Sequence, residues 1–519
     1  MLTLLAVPIT AQSGGTMERF HIGATSTKSH DVLGDVNGDG FDDYLSRNFL
    51  VSGNHQVGES PVDLYEVDEG PEMPDGTGVT FWTTALGDID GDSIPDFLMG
   101  HSLGPSWSSQ GFFRVHSGVD GSLIRSHPGG FQEVDGPEFG SRVGDTNGDG
   151  IEDYLVQDYA SELGKALLFS GADGLLLRFH SAPGLEIQRH LLGDIDGDGC
   201  TDYSLFFDLP AAGGLMRIIS GRTGDVLRMH TTSGHRTAIG TVDLNQDGVP
   251  DYYVVFDGVD SKSGLWSVSG ADGSRIQKFY GRPSEPEELG RLETVRLMEN
   301  AGDQDGDGIE DILISDPGFE QSHGGTRYGW FALHSGATGM ELWNSGPVER
   351  WLGNSLGVGR FSGGPQIDIM IGDAGDEYHF PSSHFYQYAS HLKATNSIVS
   401  ASQGAIVDLE VDFGFAWSGK EYAILFSSHV YQPQVFGVAL PIEMRAMAWK
   451  SLRGEYPFPV TANMQGTLDG FGRATATFLF PSGSHYAFAG HTYWMAAIAG
   501  NSTSKPEISS VALPLEIVF

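Results

Sequence analysis

A single cysteine, Cys200, stands in the 519 residues, so no internal disulfide framework holds this chain together. Basic residues are scarce: 29 Lys and Arg face 68 Asp and Glu, for a formal net charge of -39. A phosphate backbone needs a cationic stripe, so nucleic acid is not an expected partner. No apolar run approaches the ~18 to 20 residues of a membrane-crossing helix, and no transmembrane span is expected. There is no Walker loop, Rossmann fingerprint or zinc-type cysteine spacing, and no Ser-His-Asp or Cys-His set that the sequence can locate.

What is abundant is glycine, with 73 residues, beside a hydrophobic fraction of 39% and a charged fraction of 19%. Glycine supplies the φ > 0 conformations of tight turns, so the mix favours many short strands around buried cores. The length suggests two or more domains. At the N-terminus, the apolar run Leu2 to Ile9 followed by Thr10-Ala11-Gln12 reads as the h-region and cleavage site of a signal peptide, without a basic n-region. Residues 1–12 are therefore expected to be a signal-peptide remnant, and the protein secreted or at the cell surface.

One pattern, D-x-[DN]-x-D-[GS]-x-x-D, recurs six times at intervals of roughly 50 to 60 residues, a period that indicates a propeller or solenoid. Positions 1, 3, 5 and 9 are Asp35, Asn37, Asp39 and Asp43 in the first copy, and Asp88, Asp90, Asp92 and Asp96 in the second. The third has Asp145, Asn147, Asp149 and Asp153; the fourth has Asp194, Asp196, Asp198 and Asp202. The fifth has Asp243, Asn245, Asp247 and Asp251, and the sixth Asp303, Asp305, Asp307 and Asp311. A seventh, degenerate copy begins at Arg360, carries Ser362 and Gly364 at ligand positions, and keeps only the last acid, Asp368. Each loop runs into a β-favouring segment such as Tyr252-Tyr253-Val254-Val255. A second signature, S-G-x-x-G from Ser117, Ser170, Ser220, Ser269 and Ser335, marks a hairpin turn later in the unit. Four strands per unit and seven units describe a propeller. The stretch Met17 to His21 resembles the fourth strands elsewhere, so it is expected to complete the last unit and close the ring.

Alternating acids in a tight loop place side-chain oxygens around one point, which suits Ca2+ with its six to eight oxygen ligands better than Mg2+. A carbonyl at position 7 would add to the set, and glycine at position 6 permits the turn. The twelfth position of the loop holds Ser46, Val156 and Ile314 in the first, third and sixth copies, which excludes the EF-hand, since that motif needs a glutamate there. An acid at position 9 followed at once by a strand resembles the FG-GAP repeat of integrin α propellers. The likeness is fullest at Phe139-Gly140 through Gly150, where the Phe-Gly opening precedes the acidic loop. It implies calcium at the matching positions of up to six loops and none in the seventh. Two departures stand out: Ser93 replaces Gly at position 6 of the second loop, where strain is expected, and Gln246 replaces Gly at position 4 of the fifth. With the ligands consumed by the ion, a structural role is expected for the sites.

Arg and His recur together at Arg19/His21, Arg125/His127, Arg178/His180 and Arg228/His230. Residues i and i+2 share a strand face, so these pairs either line a ligand surface, hold a transition metal or are inherited decoration of outer strands; the last is expected. Cys200 falls at position 7 of its loop, where only its carbonyl is needed. Beyond about Ala394 the acidic repeats stop, and short β-rich segments between Gly, Pro and Ser breaks read as a β-sandwich over 394–519, after a propeller over 13–393. Gln465 through Ala474 resembles a C-terminal domain of secreted planctomycete-type repeat proteins. Trp417, Trp449, Tyr456, Tyr493 and Trp494 offer a sugar-stacking platform or, as expected, packing. The sequence thus indicates a non-enzymatic, calcium-stapled extracellular propeller that binds a protein or a glycan. The alternatives are a polysaccharide lyase built on a propeller and a structural envelope component.

Overall fold

The computed structural model describes residues 15–519 except 25–29, 47–48, 55–61, 68–79, 103–110, 128–136, 159–163, 188–190, 210–212, 233–237, 241, 246, 257–263, 280–294, 296, 321–326, 346–347, 350–351, 363–366, 374–381, 397, 430–433, 436–437, 440–441, 459, 484–488 and 511. Residues 1–12, expected to be a signal-peptide remnant, lie outside the described residues, as do Gln246, Gly364 and the side chains of Arg19 and His21.

The chain is almost entirely β, and its first part repeats one antiparallel meander of four strands. The third unit shows the plan. Pro137–Gly144 is innermost, the acidic loop leads to Asp153–Asp158, then come Gly164–Phe169, the S-G-x-x-G turn and the outer Leu176–Ala182. The fourth and fifth units, from Leu185 and Ala238, are joined into one larger sheet by a single pair, Thr232 with Phe256. Second strands such as Tyr252–Phe256 are buried along their whole length, because both faces pack on neighbouring sheets. That is why they read as continuous apolar runs rather than alternating ones.

Innermost strands touch in cyclic order: His30–Gly34 meets Thr80–Ala85, which meets Pro137–Gly144, which meets Leu185–Ile187. The Gly240 N–H then donates to the Leu191 carbonyl at 2.9 Å. Ala238–Gly240 meets Leu297–Gly302, which meets Ser355–Gly359, and that strand returns to His30–Gly34. Separate apolar clusters fill the gaps between successive sheets. One of them, Tyr44, Val51, Phe361, Met370 and Phe385, joins the last sheet to the first. The sheets therefore form a closed ring, a propeller.

Closure works as the sequence indicated. Strand Gly15–Ala24 pairs antiparallel with Ser382–Ser390, from Gly15 opposite Ser390 to Ala24 opposite Ser382, and becomes the outer strand of the final sheet. A bulge between Arg19 and His21 interrupts the register once.

After Ser390 the chain enters strand Leu392–Ala394, which pairs with Ala405–Asp412, so no linker separates the two parts. The C-terminal part holds a four-stranded and a six-stranded sheet. Both contribute to a core that continues into the last propeller sheets, from Leu313, Phe331 and Ile371 to Val407, Phe426, Phe478 and Leu515. Two features add to the short strands expected of a sandwich. Ile398–Ser400 runs parallel to the final strand, and a short helix spans Ala446–Leu452. Trp417, Tyr456, Tyr493 and Trp494 pack half-buried against these cores, and of the five aromatics only Trp449 is exposed.

His391 sits at the junction, its Nδ1–H donating to the Asp412 carbonyl at 2.7 Å. Burial holds its imidazole down at about 4 rather than 6.5. A neutral native histidine contributes stability that is complete above the unfolded value and is lost as pH falls from about 6.5 toward 4. Unfolding free energies from denaturant melts should therefore fall on acidification more in the wild type than in His391→Gln, by on the order of 1 to 3 kcal/mol across that window. Parallel pH profiles for the two proteins would remove His391 from this role.

Candidate metal centres

Each acidic loop joins the first and second strands of its unit, and its backbone is wound around its own carboxylates. In the second loop Asp88 Oδ1 accepts from the N–H groups of Gly91 and Asp92 at 2.7 and 3.0 Å, and Oδ2 from Ser93 at 2.8 Å. Asp90 Oδ1 accepts from the Asp92 N–H, and Asp92 Oδ1 from the Ile94 N–H. The other five loops repeat the bonds to positions 1 and 5. The turn needs φ > 0 at position 6, where Gly199 and Gly308 have 84° and 89°. Ser93 adopts 74° there, so the strain expected from its sequence position is present. Ser93→Gly should raise stability by about 1 kcal/mol, read as a higher melting temperature, because it removes a side chain from a left-handed conformation. No gain would mean that the loop tolerates serine without cost.

Position 9 has a task that the sequence did not disclose. In the fourth loop, buried Asp202 accepts through Oδ2 from Ile195 N–H at 2.8 Å and Asp196 N–H at 3.3 Å. Its Oδ1 accepts from Gly221 N–H at 2.9 Å, the glycine of the S-G-x-x-G turn. Asp43, Asp96, Asp153, Asp251 and Asp311 make the corresponding bonds to Gly53, Gly118, Gly171, Gly270 and Gly336. A Cβ on Gly171 would stand 1.8 Å from the Glu152 carbonyl oxygen, so only glycine brings the turn this close. The degenerate loop keeps the arrangement in part: Asp368 accepts from Ser362 N–H at 2.6 Å and from Gln387 Nε2 at 3.3 Å.

Carboxylate oxygens of positions 1, 3 and 9 lie within 4.8 Å of one another in three loops: Asp88/Asp90/Asp96, Asp194/Asp196/Asp202 and Asp303/Asp305/Asp311. These are the loops with Asp at position 3. In the first, third and fifth, Asn37, Asn147 and Asn245 occupy it, and a neutral amide oxygen replaces one charge. The donor set is oxygen only, which fits a hard divalent cation. Burial pushes Asp43, Asp96 and Asp202 up to about 6 against the opposing pull of their backbone N–H donors. The sixth loop is the most enclosed: burial lifts Asp307 to about 7, and burial together with neighbouring carboxylates holds Asp305 and Asp311 well above the carboxylate range. Such a group either takes up protons or takes a cation.

The repeated Arg and His side chains bridge neighbouring units. Arg125 donates to the carbonyls of Gly171 and Ala172 at 2.8 and 3.1 Å, in the next unit's turn. Arg178 reaches Gly221, Arg222 and Thr223, and Arg228 reaches Gly270 and Ala271. His127, His180 and His230 hydrogen-bond the hydroxyls of Tyr154, Tyr203 and Tyr252, each tyrosine directly following a position-9 Asp. Burial holds His127 and His230 down at about 4 and lowers His180 as well. In the first unit Tyr65 takes the arginine's place and donates to the Gly118 carbonyl at 2.6 Å. These pairs therefore clasp one unit to the next rather than line an open face. Cys200 is buried, with its N–H donating to Asp198 Oδ1.

No family model and no curated protein matches the chain. Among solved structures it is similar to the rhamnogalacturonan lyase YesW, with a TM-score of 0.36 and 14% identity over 86% of this chain and 81% of that one. It is also similar to the Dos1 propeller, with a TM-score of 0.34 and 9% identity over 67% of this chain and 74% of that one. No described helix is long and apolar enough to cross a membrane.

Proposed function

We propose that the chain is a seven-bladed, FG-GAP-type propeller with a C-terminal β-sandwich, that up to six Ca2+ ions staple its blades, and that it works outside the cell as a non-enzymatic binder of a protein or glycan. The observation that carries the metal reading is the convergence of carboxylate oxygens from positions 1, 3 and 9 in three loops, with position 9 buried in each and position 3 buried as well in the sixth, where neighbouring carboxylates add uncompensated negative charge. The residues that would hold the ions are those at positions 1, 3, 5 and 9 of the six loops, with the position 7 carbonyl. Bound calcium would supply the missing positive charge. The chain's own contribution is to fix each loop to its turn through position 9, and each turn to the preceding blade through Arg or Tyr.

A scaffold of this kind leaves the blade surfaces free for a partner, and fold alone does not choose one. Calcium-dependent retention of the purified protein on a glycan array or on extracellular protein, without product formation, is the expected result. Unsaturated oligosaccharide products from a pectin-like polysaccharide would replace this reading with a lyase. The absence of calcium in extensively dialysed protein re-equilibrated with about 1 mM calcium, measured by atomic emission, would remove the metal reading.

A further inference from the structure

We propose that the third and fourth loops take up their cations as a coupled pair, occupancy of one favouring occupancy of the other; this rests on the calcium reading above. Three connections tie the third loop to the fourth loop and its turn, and a fourth ties their units. The Thr201 N–H, at position 8 of the fourth loop, donates at 2.7 Å to the carbonyl of Asp145, position 1 of the third. Gly221, whose N–H holds Asp202, lies against the third loop so closely that a Cβ there would come within 3.1 Å of Thr146 Cα. Gly148 of the third loop faces the fourth, since a Cβ on it would stand 3.4 Å from Cys200 Sγ. Arg178 of the third unit holds the turn of the fourth through the Gly221 and Thr223 carbonyls, at 2.7 and 3.1 Å.

Thr201 stands between two groups that would meet the fourth ion, the Cys200 carbonyl and the Asp202 carboxylate. An ion that fixes Asp145 fixes the carbonyl to which Thr201 is bonded, and with it part of the second cage. Ordering done by the first ion is then not required of the second, which is positive coupling, and linkage makes it reciprocal. Ion–ion repulsion acts the other way but is screened at physiological salt. The second and fifth loops carry Pro95 and Pro250 at position 8 and so have no N–H to offer there. The chain thus shows that this position accepts proline.

Cys200, the only cysteine, is a built-in reporter of the junction. Its alkylation by iodoacetamide is followed by intact mass across a calcium titration. In the wild type calcium should protect the thiol. Asp145→Asn, which alters only the third loop, should raise the calcium concentration for half-protection by roughly 5-fold or more, while Asp35→Asn in the first loop should leave it in place. Thr201→Pro removes no ligand, yet should itself raise the half-protection point and make the further effect of Asp145→Asn less than about twofold. If Asp145→Asn does not fold, Thr201→Pro carries the test alone. Identical half-protection in the wild type and Thr201→Pro overturns the coupling while leaving the calcium reading standing. Wild-type labelling indifferent to calcium overturns both.

Discussion

Stripping calcium with EGTA should lower the melting temperature by on the order of 10 °C or more, and excess magnesium should not restore it. At about 1 mM calcium, one site with a dissociation constant near 10 μM stabilises the fold by about 2.7 kcal/mol, and several such sites act on the same ring. For a protein of this size each kcal/mol moves the midpoint by roughly 1 to 3 °C. Magnesium is a poor substitute because it prefers a compact octahedron and keeps its waters. The sixth loop sharpens the test. Asp305 is buried beside Asp303, Asp307 and Asp311, so without a cation its charge is a liability. Asp305→Asn should therefore destabilise the protein in calcium and stabilise it in EGTA. A melting curve that ignores EGTA, or an Asp305→Asn effect of one sign in both conditions, counts directly against bound cations.

A different outcome is expected at position 9. Asp202→Ala leaves the buried N–H groups of Ile195 and Gly221 without their acceptor, and each costs about 1 to 3 kcal/mol, while the more exposed Asp196 N–H can turn to water. The total should be at least about 2 kcal/mol, read as a shifted urea midpoint, and it should persist in EGTA. Asp198→Ala, at position 5, should lose the calcium-dependent part of its effect once calcium is removed and keep only the part due to the Cys200 N–H and the Arg222 guanidinium that Asp198 meets. Asp368→Ala supplies the control, because its loop has Arg360 and Ser362 where the ligands would be, yet Asp368 still accepts from Ser362. It should destabilise equally with and without calcium. If Asp202→Ala becomes neutral in EGTA, position 9 serves the ion alone and the backbone bonds contribute little.

The two sets of substitutions separate what was legible in the sequence from what was not. The tight turn around positions 1, 3 and 5 was legible because its bonds are local, and six copies in register expose it. Ring closure by Met17 to His21 was legible because that strand resembles its counterparts Leu177 to His180 and Leu227 to His230. The second task of Asp202 was not, since its partner Gly221 is fixed only when the third strand has folded back. The clasps were hidden for the same reason: Arg178 meets carbonyls in the following unit, and a repeat shows that a residue recurs without showing what it touches. The expectation of outer-strand decoration placed those arginines on the right strand but gave them no work. The helix Ala446–Leu452 is seven residues long, about two turns, too short for apolar periodicity to distinguish it from the strands around it.

Strand Gly15–Ala24 has a further consequence, one for the order of events during synthesis. Its partner, Ser382–Ser390, leaves the ribosome only after all the intervening sheets. At roughly 5 to 20 residues per second the first strand waits on the order of tens of seconds with its hydrogen-bonding edge unpaired. The earlier sheets can form as they emerge, since their contacts are local, but the ring stays an open arc until the last one arrives. During that interval the first strand is a sticky edge, able to pair with another nascent chain. The joint that completes the last sheet and closes the ring is thus the joint at which assembly is most exposed to error.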